Sequence, residues 1–423
     1  MTVLSNKFHL LRNLVFLTGS MVLLRVLSAT TTIVLTHWLV VEDYGRFSYG
    51  QSLALLLMFG VSVGLPTYIV KELAGKNETA GALLKACLRL ITGLALVEWL
   101  VLAGIFLTGV LPDGLAGTVL PMAVGGAALA GNMIFQGFFR AFDRFALQSA
   151  LLVLQGVAML VILLSAARAF NSSEAVAWAF AGTAGGIFLL HGFFAFRLTG
   201  GARQSNPEVL VLLKRTLPFG MIDWIMAGYP LVVGTGLLFS AGEAEVGVFY
   251  AGFAVFSAVA ITALVLDQVF VREIMRSGAT QQTRITLLYI LAALAAGLVV
   301  GGVLFLSSGL LASLFFGGEQ PELVMVLKML SLAVAFRFVS LASSSIERLN
   351  GAQNKVLFFH TCGLFLLILC IPFALQWGLL GGTASVVVLE GCLAILFLLR
   401  RRKLFRVFPQ GEKRLTEEGV RRL

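Results

Sequence analysis

The sequence predicts an all-α integral membrane protein whose twelve transmembrane helices form two pseudo-symmetric lobes of six helices each. Three observations predict this fold: the composition, a series of long apolar runs and an internal repeat. Of the 423 residues, 59% are hydrophobic and 12% are charged, whereas a soluble domain typically carries about 25% charged residues. The composition therefore excludes a soluble globular protein, and the high apolar content excludes a disordered chain.

Twelve apolar runs have the length, about 20 residues, that a helix needs to cross roughly 30 Å of hydrocarbon. The first run is too long for a signal peptide, so we expect it to be the first span. We expect tight antiparallel connections at Leu111-Pro112-Asp113-Gly114 and near Trp377-Gly378. The predicted spans are 13–39, 47–69, 90–110, 115–137, 147–167, 175–195, 217–239, 247–270, 285–306, 323–346, 356–377 and 378–399.

The net charge of +10 reports orientation in the membrane. Nearly all of the 31 Lys and Arg residues fall in connections on one side of the predicted spans, and the other side holds only Arg46, Arg168 and Lys328. Cytoplasmic loops of membrane proteins carry this excess of basic residues. We therefore expect both termini in the cytoplasm and do not expect a nucleic-acid partner.

An internal repeat divides the chain. The segment Asp43-Tyr-Gly-Arg-Phe-Ser-Tyr-Gly50 matches Glu245-Val-Gly-Val-Phe-Tyr-Ala-Gly252 in its acid, Gly, Phe and Gly positions, and Ile69-Val-Lys-Glu-Leu73 matches Phe270-Val-Arg-Glu-Ile274. Each match lies at the same place in its half, which predicts two halves of parallel orientation. The predicted units are an N-terminal lobe at 1–196, a cytoplasmic linker at 197–216, a C-terminal lobe at 217–399 and a basic cytoplasmic tail at 400–423.

The first two spans resemble a known family. The loop Glu42-Asp-Tyr-Gly-Arg-Phe47 and the segment Val63-Gly-Leu-Pro-Thr-Tyr-Ile-Val-Lys-Glu-Leu73 are similar to those of polysaccharide-repeat-unit flippases of the Wzx type. These flippases belong to the multidrug/oligosaccharidyl-lipid/polysaccharide (MOP) exporter superfamily, which includes the MATE transporters. The turn Phe139-Arg-Ala-Phe-Asp-Arg144, echoed by Leu349-Asn-Gly-Ala-Gln-Asn-Lys355, extends the resemblance into both halves.

The resemblance implies a flippase of the bacterial cytoplasmic (inner) membrane. Such a protein moves an undecaprenyl-pyrophosphate-linked oligosaccharide, an O-antigen or exopolysaccharide repeat unit, from the inner to the outer leaflet by alternating access. It implies a cationic cavity and, in some members, coupling to an ion gradient. The implied partners are this lipid-linked glycan, membrane lipids, a polysaccharide polymerase and a chain-length regulator. We expect no cofactor.

Six ionisable residues stand out within the predicted spans, where a charge near the helix centre costs at least about 2.5–3.5 kcal/mol, and each is therefore a candidate for function. Arg25 shares a helix face with Ser28 and Thr32. We expect these three to line the central cavity, with the forked, permanently charged guanidinium of Arg25 meeting pyrophosphate or a sugar acid. The alternative for Arg25 is a structural ion pair.

The repeat places Asp223 one helical turn from the position equivalent to Arg25, so we expect the two residues to face the cavity from opposite lobes and to pair in the empty state. Asp223 is thus a candidate for both substrate binding and ion coupling. Pro230 in the same span removes a backbone hydrogen bond and is the candidate hinge.

Arg337 is a further candidate for substrate binding, with an intralobe ion pair to Glu390 as the alternative. Glu98, Asp267 and Glu390 are candidates for ion coupling or gating. Glu98 has no evident basic partner in the sequence, so a neutral structural carboxyl is the alternative there. Asp267 lies near the end of its span, where contact with interfacial water is the alternative.

Two other functions compete with the flippase. A MATE-like antiporter of drugs or organic cations would favour acidic and aromatic residues in its cavity; two Arg within the spans favour an anion, although four acids also lie there. An enzyme acting on the same lipid carrier would hold its acid or histidine cluster in a large outer loop, and the outer loops here are short. The chain has no P-loop, and its four cysteines and four histidines lack the spacing of a metal site. We therefore expect a transporter and no catalytic residues.

Overall fold

The computed structural model describes residues 2–73, 79–109, 112, 114–200, 208–276, 279–316 and 320–407. Within these ranges the chain is helical, with no strand, and a 3-10 turn at Leu375–Trp377 separates the last two helices. The helices are α1 (Thr2–Trp38), α2 (Val41–Ser62), α3 (Leu65–Glu72), α4 (Ala80–Leu107), α5 (Ala116–Ala141), α6 (Phe145–Phe170), α7 (Ser173–Thr199), α8 (Val209–Ser240), α9 (Glu243–Arg276), α10 (Ala279–Leu306), α11 (Ser308–Ser313), α12 (Pro321–Leu349), α13 (Gln353–Ala374) and α14 (Gly378–Val407).

The predicted spans all have helical counterparts. Eleven stretches of the described chain are long and apolar enough to cross a membrane, and the last of them, Gln353–Arg400, contains two helices. These two, α13 and α14, are antiparallel, because Gly381 meets Ala374 near the turn whereas Gly363 meets Leu389 and Leu393 farther along. The fold class predicted from the sequence is therefore confirmed. Leu111 and Asp113 of the other predicted turn lie outside the described residues.

The second predicted span lies within one apolar stretch, Val41–Glu72, that is long enough to cross a membrane, but two helices form it. α2 ends at Ser62, and α3 begins at Leu65 with Pro66 in its first turn. Between them Val63 (φ 39°) and Gly64 (φ 71°) both adopt left-handed backbone conformations. Proline has no backbone N–H and cannot donate a helical hydrogen bond to the preceding turn, and glycine adopts the left-handed region at little cost. Val63 is β-branched, and residues of that kind rarely adopt positive φ, so this break is a strained point of the fold.

The two halves of the chain repeat the same packing. In the first half α1 packs on α6, α2 on α5 and α5 on α7. In the second half the equivalent helices pair in the same way: α8 packs on α13, α9 on α12 and α12 on α14. Small residues bring the helices close, as where Gly297 and Gly301 of α10 meet Ala335 and Ser331 of α12. The exact domain boundaries stay a prediction, since part of the linker, 201–207, lies outside the described residues.

The halves meet mainly through α2, which packs against α8 and α9 of the second half. We call the end of the bundle with the start of α1 and the connections at 142–144 and 350–352 the near end. The far end holds the connections at 39–40, 171–172, 241–242 and 375–377. At the far end the glycines of the repeated motif cross each other, because a β-carbon on Gly45 would lie 3.1 Å from the backbone nitrogen of Gly247 and would overlap the carbonyl oxygen of Glu243. The glycines of the repeated motif therefore allow α2 and α9 to pack closely against each other.

Candidate functional site

A cavity lies beside α1, between the two halves. It has a volume of about 250 Å³ and adjoins a second space of about 270 Å³, and Arg25, Ser28 and Thr32 line both. Each volume is just below the range of roughly 300–1,000 Å³ that is usual for small-molecule sites. Residues of α1, α2, α5, α7, α8 and α9 form the wall, so the cavity draws on both halves of the chain.

The predicted polar face of α1 forms one wall of this cavity. Arg25, Ser28 and Thr32 follow one another along the helix at the spacing that places them on one side. The guanidinium of Arg25 has no ion pair and no hydrogen bond to another described residue. The structural ion pair that we considered as the alternative for Arg25 is therefore not formed in this conformation.

Among the described residues that line the two spaces, Arg25 is the one that carries a charge. The other polar groups are hydroxyls and amides, and the apolar part of the wall is rich in aromatic rings. This described part of the lining thus offers one permanent positive charge, several neutral hydrogen-bonding groups and flat apolar faces, and it contains no carboxylate. The polar and aromatic members are Ser28, Thr31, Thr32, Tyr44, Phe47, Ser48, Gln51, Ser52, Gln155, Phe180, Tyr250, Phe253 and Ser257.

An ion pair between the halves closes the cavity at the far end. Nε of Arg46 on α2 lies 2.6 Å from Oε2 of Glu243 on α9, and Asp43 lies 3.8 Å from the same guanidinium. Asp43 in turn accepts a hydrogen bond of 2.8 Å from the hydroxyl of Ser173 on α7. Beside this group the ring of Tyr44 packs edge-on against Phe316. The far end is therefore sealed by contacts between the halves.

The wall of the cavity that α1 forms is less covered. Met21 and Val22 of α1, one turn before Arg25, are each about half exposed. The side chain of Arg25 is itself exposed. The cavity is therefore accessible beside α1. Toward the near end the halves also touch, because a β-carbon on Gly220 of α8 would overlap the backbone at Val63 and Gly64.

Pro230 contributes to the wall of the cavity on α8. Its carbonyl oxygen accepts a hydrogen bond of 3.2 Å from the hydroxyl of Tyr250 on α9, and a β-carbon on Gly234 would overlap that hydroxyl. Proline leaves one backbone acceptor of the preceding turn free. The candidate hinge thus lies at the cavity, where α8 is held to α9 by a tyrosine.

Comparison with solved structures places this arrangement in a known fold. An inward-facing multidrug-resistance MATE transporter of the MOP superfamily superimposes with a TM-score of 0.66 and 16% identity, covering 94% of this chain and 99% of that chain. The fold is that of MOP-superfamily transporters. An outward-facing MATE transporter gives a TM-score of 0.66 at 16% identity over 95% of this chain and 97% of that chain. A MOP transporter from Pyrococcus furiosus gives 0.66 at 15% identity over 94% and 96%.

No protein-family model matches the chain, and no curated protein sequence matches it either. The likeness therefore rests on the fold. It extends over nearly the whole chain, so the MOP fold accounts for both halves.

Within the MOP fold, Asp223 does not face Arg25. Asp223 is exposed on α8, does not line either cavity, and is within electrostatic range of Arg348 on α12 rather than of Arg25. Our expectation of an Arg25–Asp223 pair in the empty state is therefore not met in this conformation. The reason is the arrangement of the halves, which meet through α2 and leave Asp223 outside the space beside α1. A role for Asp223 in substrate binding or ion coupling stays a prediction.

Arg337 and Glu390 form the intralobe ion pair that we considered. Nη1 of Arg337 on α12 lies 2.9 Å from Oε1 of Glu390 on α14, and the hydroxyl of Ser340 lies 3.3 Å from the other carboxylate oxygen. Both side chains are largely buried. This pair joins two helices within the second half and gives Arg337 a structural partner; its role as a substrate ligand, and that of Glu390 in coupling, stay predictions.

The remaining two acids lie in different surroundings. Asp267 accepts a hydrogen bond of 2.7 Å from the hydroxyl of Tyr289, whose ring stacks on Phe270. Glu98 lies on α4, where it reaches the contact between α2 and α8. In the described part of the chain, no group of three or more His, Cys, Asp and Glu side chains is suited to holding a metal ion.

Several cavity residues escaped the sequence analysis. Gln51, Tyr250 and Phe253 carry no charge, and in sequence they look like ordinary residues of an apolar helix. Ser48 and Ser52 are separated by four residues and so share a face of α2, which is the one signal that the sequence offered. Their position at the cavity depends on how α2 and α9 pack, and the sequence does not display that packing.

Proposed function

We propose that this protein is an alternating-access transporter that flips a polyprenyl-pyrophosphate-linked oligosaccharide across the bacterial cytoplasmic membrane. The observation that carries the proposal is the charge of the cavity: its described lining residues include the unpaired Arg25 and no carboxylate. A lone cation in an apolar wall attracts a phosphate and repels an organic cation. The surrounding hydroxyls, amides and aromatic rings are suited to sugars.

The MOP fold supports the transport part of the proposal. The superimposed MATE transporters include an inward-facing and an outward-facing conformation, and this chain matches both equally well. For the Pyrococcus furiosus transporter, a reversed polarity of the binding pocket suggests a different function. A cationic cavity in this chain fits the same reasoning, since a change in the charge of the cavity changes the class of ligand.

The second candidate is a MATE-like antiporter of drugs or organic cations. The fold and the aromatic rings Tyr44, Phe180, Tyr250 and Phe253 support it. The cavity argues against it, because an organic cation placed there would meet Arg25 without any acid to offset the charge. The two candidates therefore differ in the effect of removing Arg25.

The test uses vesicles that contain the purified protein and a fluorescently labelled polyprenyl-pyrophosphate glycan, with a membrane-impermeant quencher to report flipping. Charge-assisted hydrogen bonds contribute about 1.5–3 kcal/mol, so Arg25→Ala should weaken binding and slow flipping at sub-saturating lipid by roughly 10- to 150-fold. Arg25→Lys should flip the lipid at a rate between those of the wild type and Arg25→Ala, since lysine keeps the positive charge but lacks the forked donors of a guanidinium.

The matched control is Arg168→Ala, which removes a basic residue from the far end of α6, outside the cavity lining. It should flip the lipid at the wild-type rate. Wild-type flipping by Arg25→Ala would refute the proposal. Efflux of an organic cation that is unchanged or faster in Arg25→Ala, with no flipping by the wild type, would establish the antiporter instead.

The membrane orientation, with both termini in the cytoplasm, and the partnership with a polysaccharide polymerase and a chain-length regulator belong to the same proposal. The near end is then the cytoplasmic side. Accessibility of a cysteine placed at Val40 to an impermeant reagent in intact cells tests the orientation, since Val40 is exposed at the far end.

A further inference from the structure

Glu98 reaches the contact between the two halves. It lies on α4, is half buried, and its carboxylate rests on Gly60 of α2. A β-carbon on Gly60 would overlap Oε1 of Glu98 and would lie 3.0 Å from Nε1 of Trp224 on α8. A carboxyl group of the first half and an indole of the second half therefore meet over the same glycine.

This glycine belongs to a close contact that continues toward the near end. One turn after Gly60, a β-carbon on Gly64 would lie 2.6 Å from the backbone nitrogen of Gly220, which is itself one turn before Trp224. We call the contact formed by Gly60, Gly64, Gly220 and Trp224 the α2–α8 seam. The backbones touch at Gly64 and Gly220, and Gly60 is in close contact with two side chains, so the closed seam leaves little space for added volume or water beside Gly60.

The surroundings of Glu98 do not stabilise its charge. Leu57, Leu102 and Ala123 form a buried apolar cluster between α2, α4 and α5. Glu98 has no ion pair or hydrogen bond to another described residue, and no charged group acts on it electrostatically. The helices packed against α4 are α2, α5, α7 and α8. Their charged residues are Glu42, Asp43, Arg46, Arg140, Glu174, Arg197, Lys214, Arg215 and Asp223, to which α4 itself adds Lys85 and Arg89.

We propose that Glu98 is a proton-binding site that couples a proton gradient to opening of the α2–α8 seam. A carboxylic acid is tolerated between the apolar side chains and leaves the seam closed. After the proton leaves, the carboxylate draws water to itself, because burial of an unpaired charge is costly, and the seam separates. The ligand is a proton rather than a metal ion, since a single carboxylate beside an indole offers too few oxygen ligands for a hard cation.

This inference rests on the alternating-access part of the proposed function and is independent of the transported molecule. It is therefore tested without substrate. Trp38, Trp99, Trp178 and Trp377 are all exposed, so each can be replaced by Phe to leave Trp224 as the single tryptophan. The emission of Trp224 is then followed in lipid nanodiscs while the pH is changed from acidic to alkaline, since a neighbouring carboxylic acid quenches indole and a carboxylate does so much less.

We expect one pH transition in the emission of Trp224. The transition should be lost in Glu98→Gln, which is uncharged at every pH, and kept in the matched control Asp223→Asn, which removes the carboxyl group next to Trp224 in sequence. A transition that persists in Glu98→Gln, or that disappears in Asp223→Asn alone, would overturn the proposal. So would the absence of any transition, with folding verified by the unfolding temperature.

A second measurement tests the coupling to conformation. Thr67 on α3 and Leu217 on α8 are exposed on the two sides of the seam toward the near end. Spin labels at these positions, in a protein without its native cysteines, report the separation of the halves. Alkaline pH should shift the wild-type distances to longer values, whereas Glu98→Gln should keep the short distance at every pH. Identical spin-label distances in the wild type at acidic and alkaline pH would overturn the coupling, even if the emission of Trp224 shows a pH transition.

Discussion

The ion pair between Arg46 and Glu243 is expected to hold the far end closed. It joins α2 to α9 at 2.6 Å with side chains that are 34% and 16% exposed. At an effective dielectric constant of about 20, Coulomb's law gives a gross attraction of about 6 kcal/mol at this separation. Desolvation and the ordering of two side chains offset most of this, which leaves about 1–2 kcal/mol for a partly exposed charged hydrogen bond.

The pair can form only while the far ends of the halves touch, so Glu243→Gln should shift the conformational equilibrium toward far-end opening by that amount. A change of about 1–2 kcal/mol corresponds to a roughly 5- to 30-fold change in the ratio of the two conformations. We expect the lower part of that range, because Asp43 stays 3.8 Å from Arg46 and keeps part of the attraction within the first half.

The assay is the distance between spin labels at Val40 and Ser240, two exposed positions at the far end on opposite halves. The longer-distance population should grow in Glu243→Gln and in Arg46→Gln, and the double variant should resemble the single variants because both remove the same interaction. Glu42→Gln is the matched control, since it removes an exposed acid of the same helix turn that is not within ion-pair distance of Arg46. Unchanged populations in Glu243→Gln, or strictly additive effects in the double variant, would refute the reasoning.

Three further predictions concern residues inside the bundle. Arg337→Gln leaves Glu390 buried without its ion partner and should destabilise the protein by about 3–5 kcal/mol, seen as a lower unfolding temperature in detergent. The double variant Arg337→Leu, Glu390→Leu should recover most of this stability, and an equal loss in the single and double variants would contradict the ion-pair argument. Gly220→Ala should prevent closure of the α2–α8 seam, because the added carbon overlaps the backbone at Val63. Spin labels across the seam should then show a longer distance than in the wild type. An unchanged distance would show that the contact is looser than described. Pro230→Ala should restore a backbone hydrogen bond at the cavity and slow transport while leaving ligand binding within about twofold, and faster transport would argue against a hinge at this residue.

Much of the fold could be predicted because the membrane makes composition and periodicity decisive. Every backbone group in the hydrocarbon must be paired within its own helix, so a long apolar run has few alternatives to a spanning helix. The twelve spans and the two-lobe fold class followed from this. The break at Val63 and Gly64 could not be predicted in this way, because a Gly and a Pro inside an apolar run are compatible with a bend as well as with a full interruption. The contact with Gly220 is needed to distinguish a bend from an interruption.

The internal repeat could also be interpreted only in part from the sequence. Its matching acid, Gly and Phe positions were visible in the sequence, but their purpose was not. The structure brings Gly45 and Gly247 against each other at the contact of α2 with α9, which explains why both positions lack a side chain. Two segments that resemble each other in sequence can contact each other only when the halves are assembled, and no local pattern reports that assembly.

The sequence by itself determined that this is a membrane protein of two similar halves, which residues are charged within the spans, and that Arg25, Ser28 and Thr32 share one helix face. These properties follow from composition and from the 3.6-residue period of a helix. Only the tertiary structure decided which of those charges meet: Arg337 pairs with Glu390, Arg46 pairs with Glu243, and Asp223 lies apart from Arg25. The reason is that pairing depends on the rotation and crossing of helices far apart in the chain. The side chains that pack between the helices set that geometry, and it leaves Arg25 as the one charge among the described residues of the cavity wall.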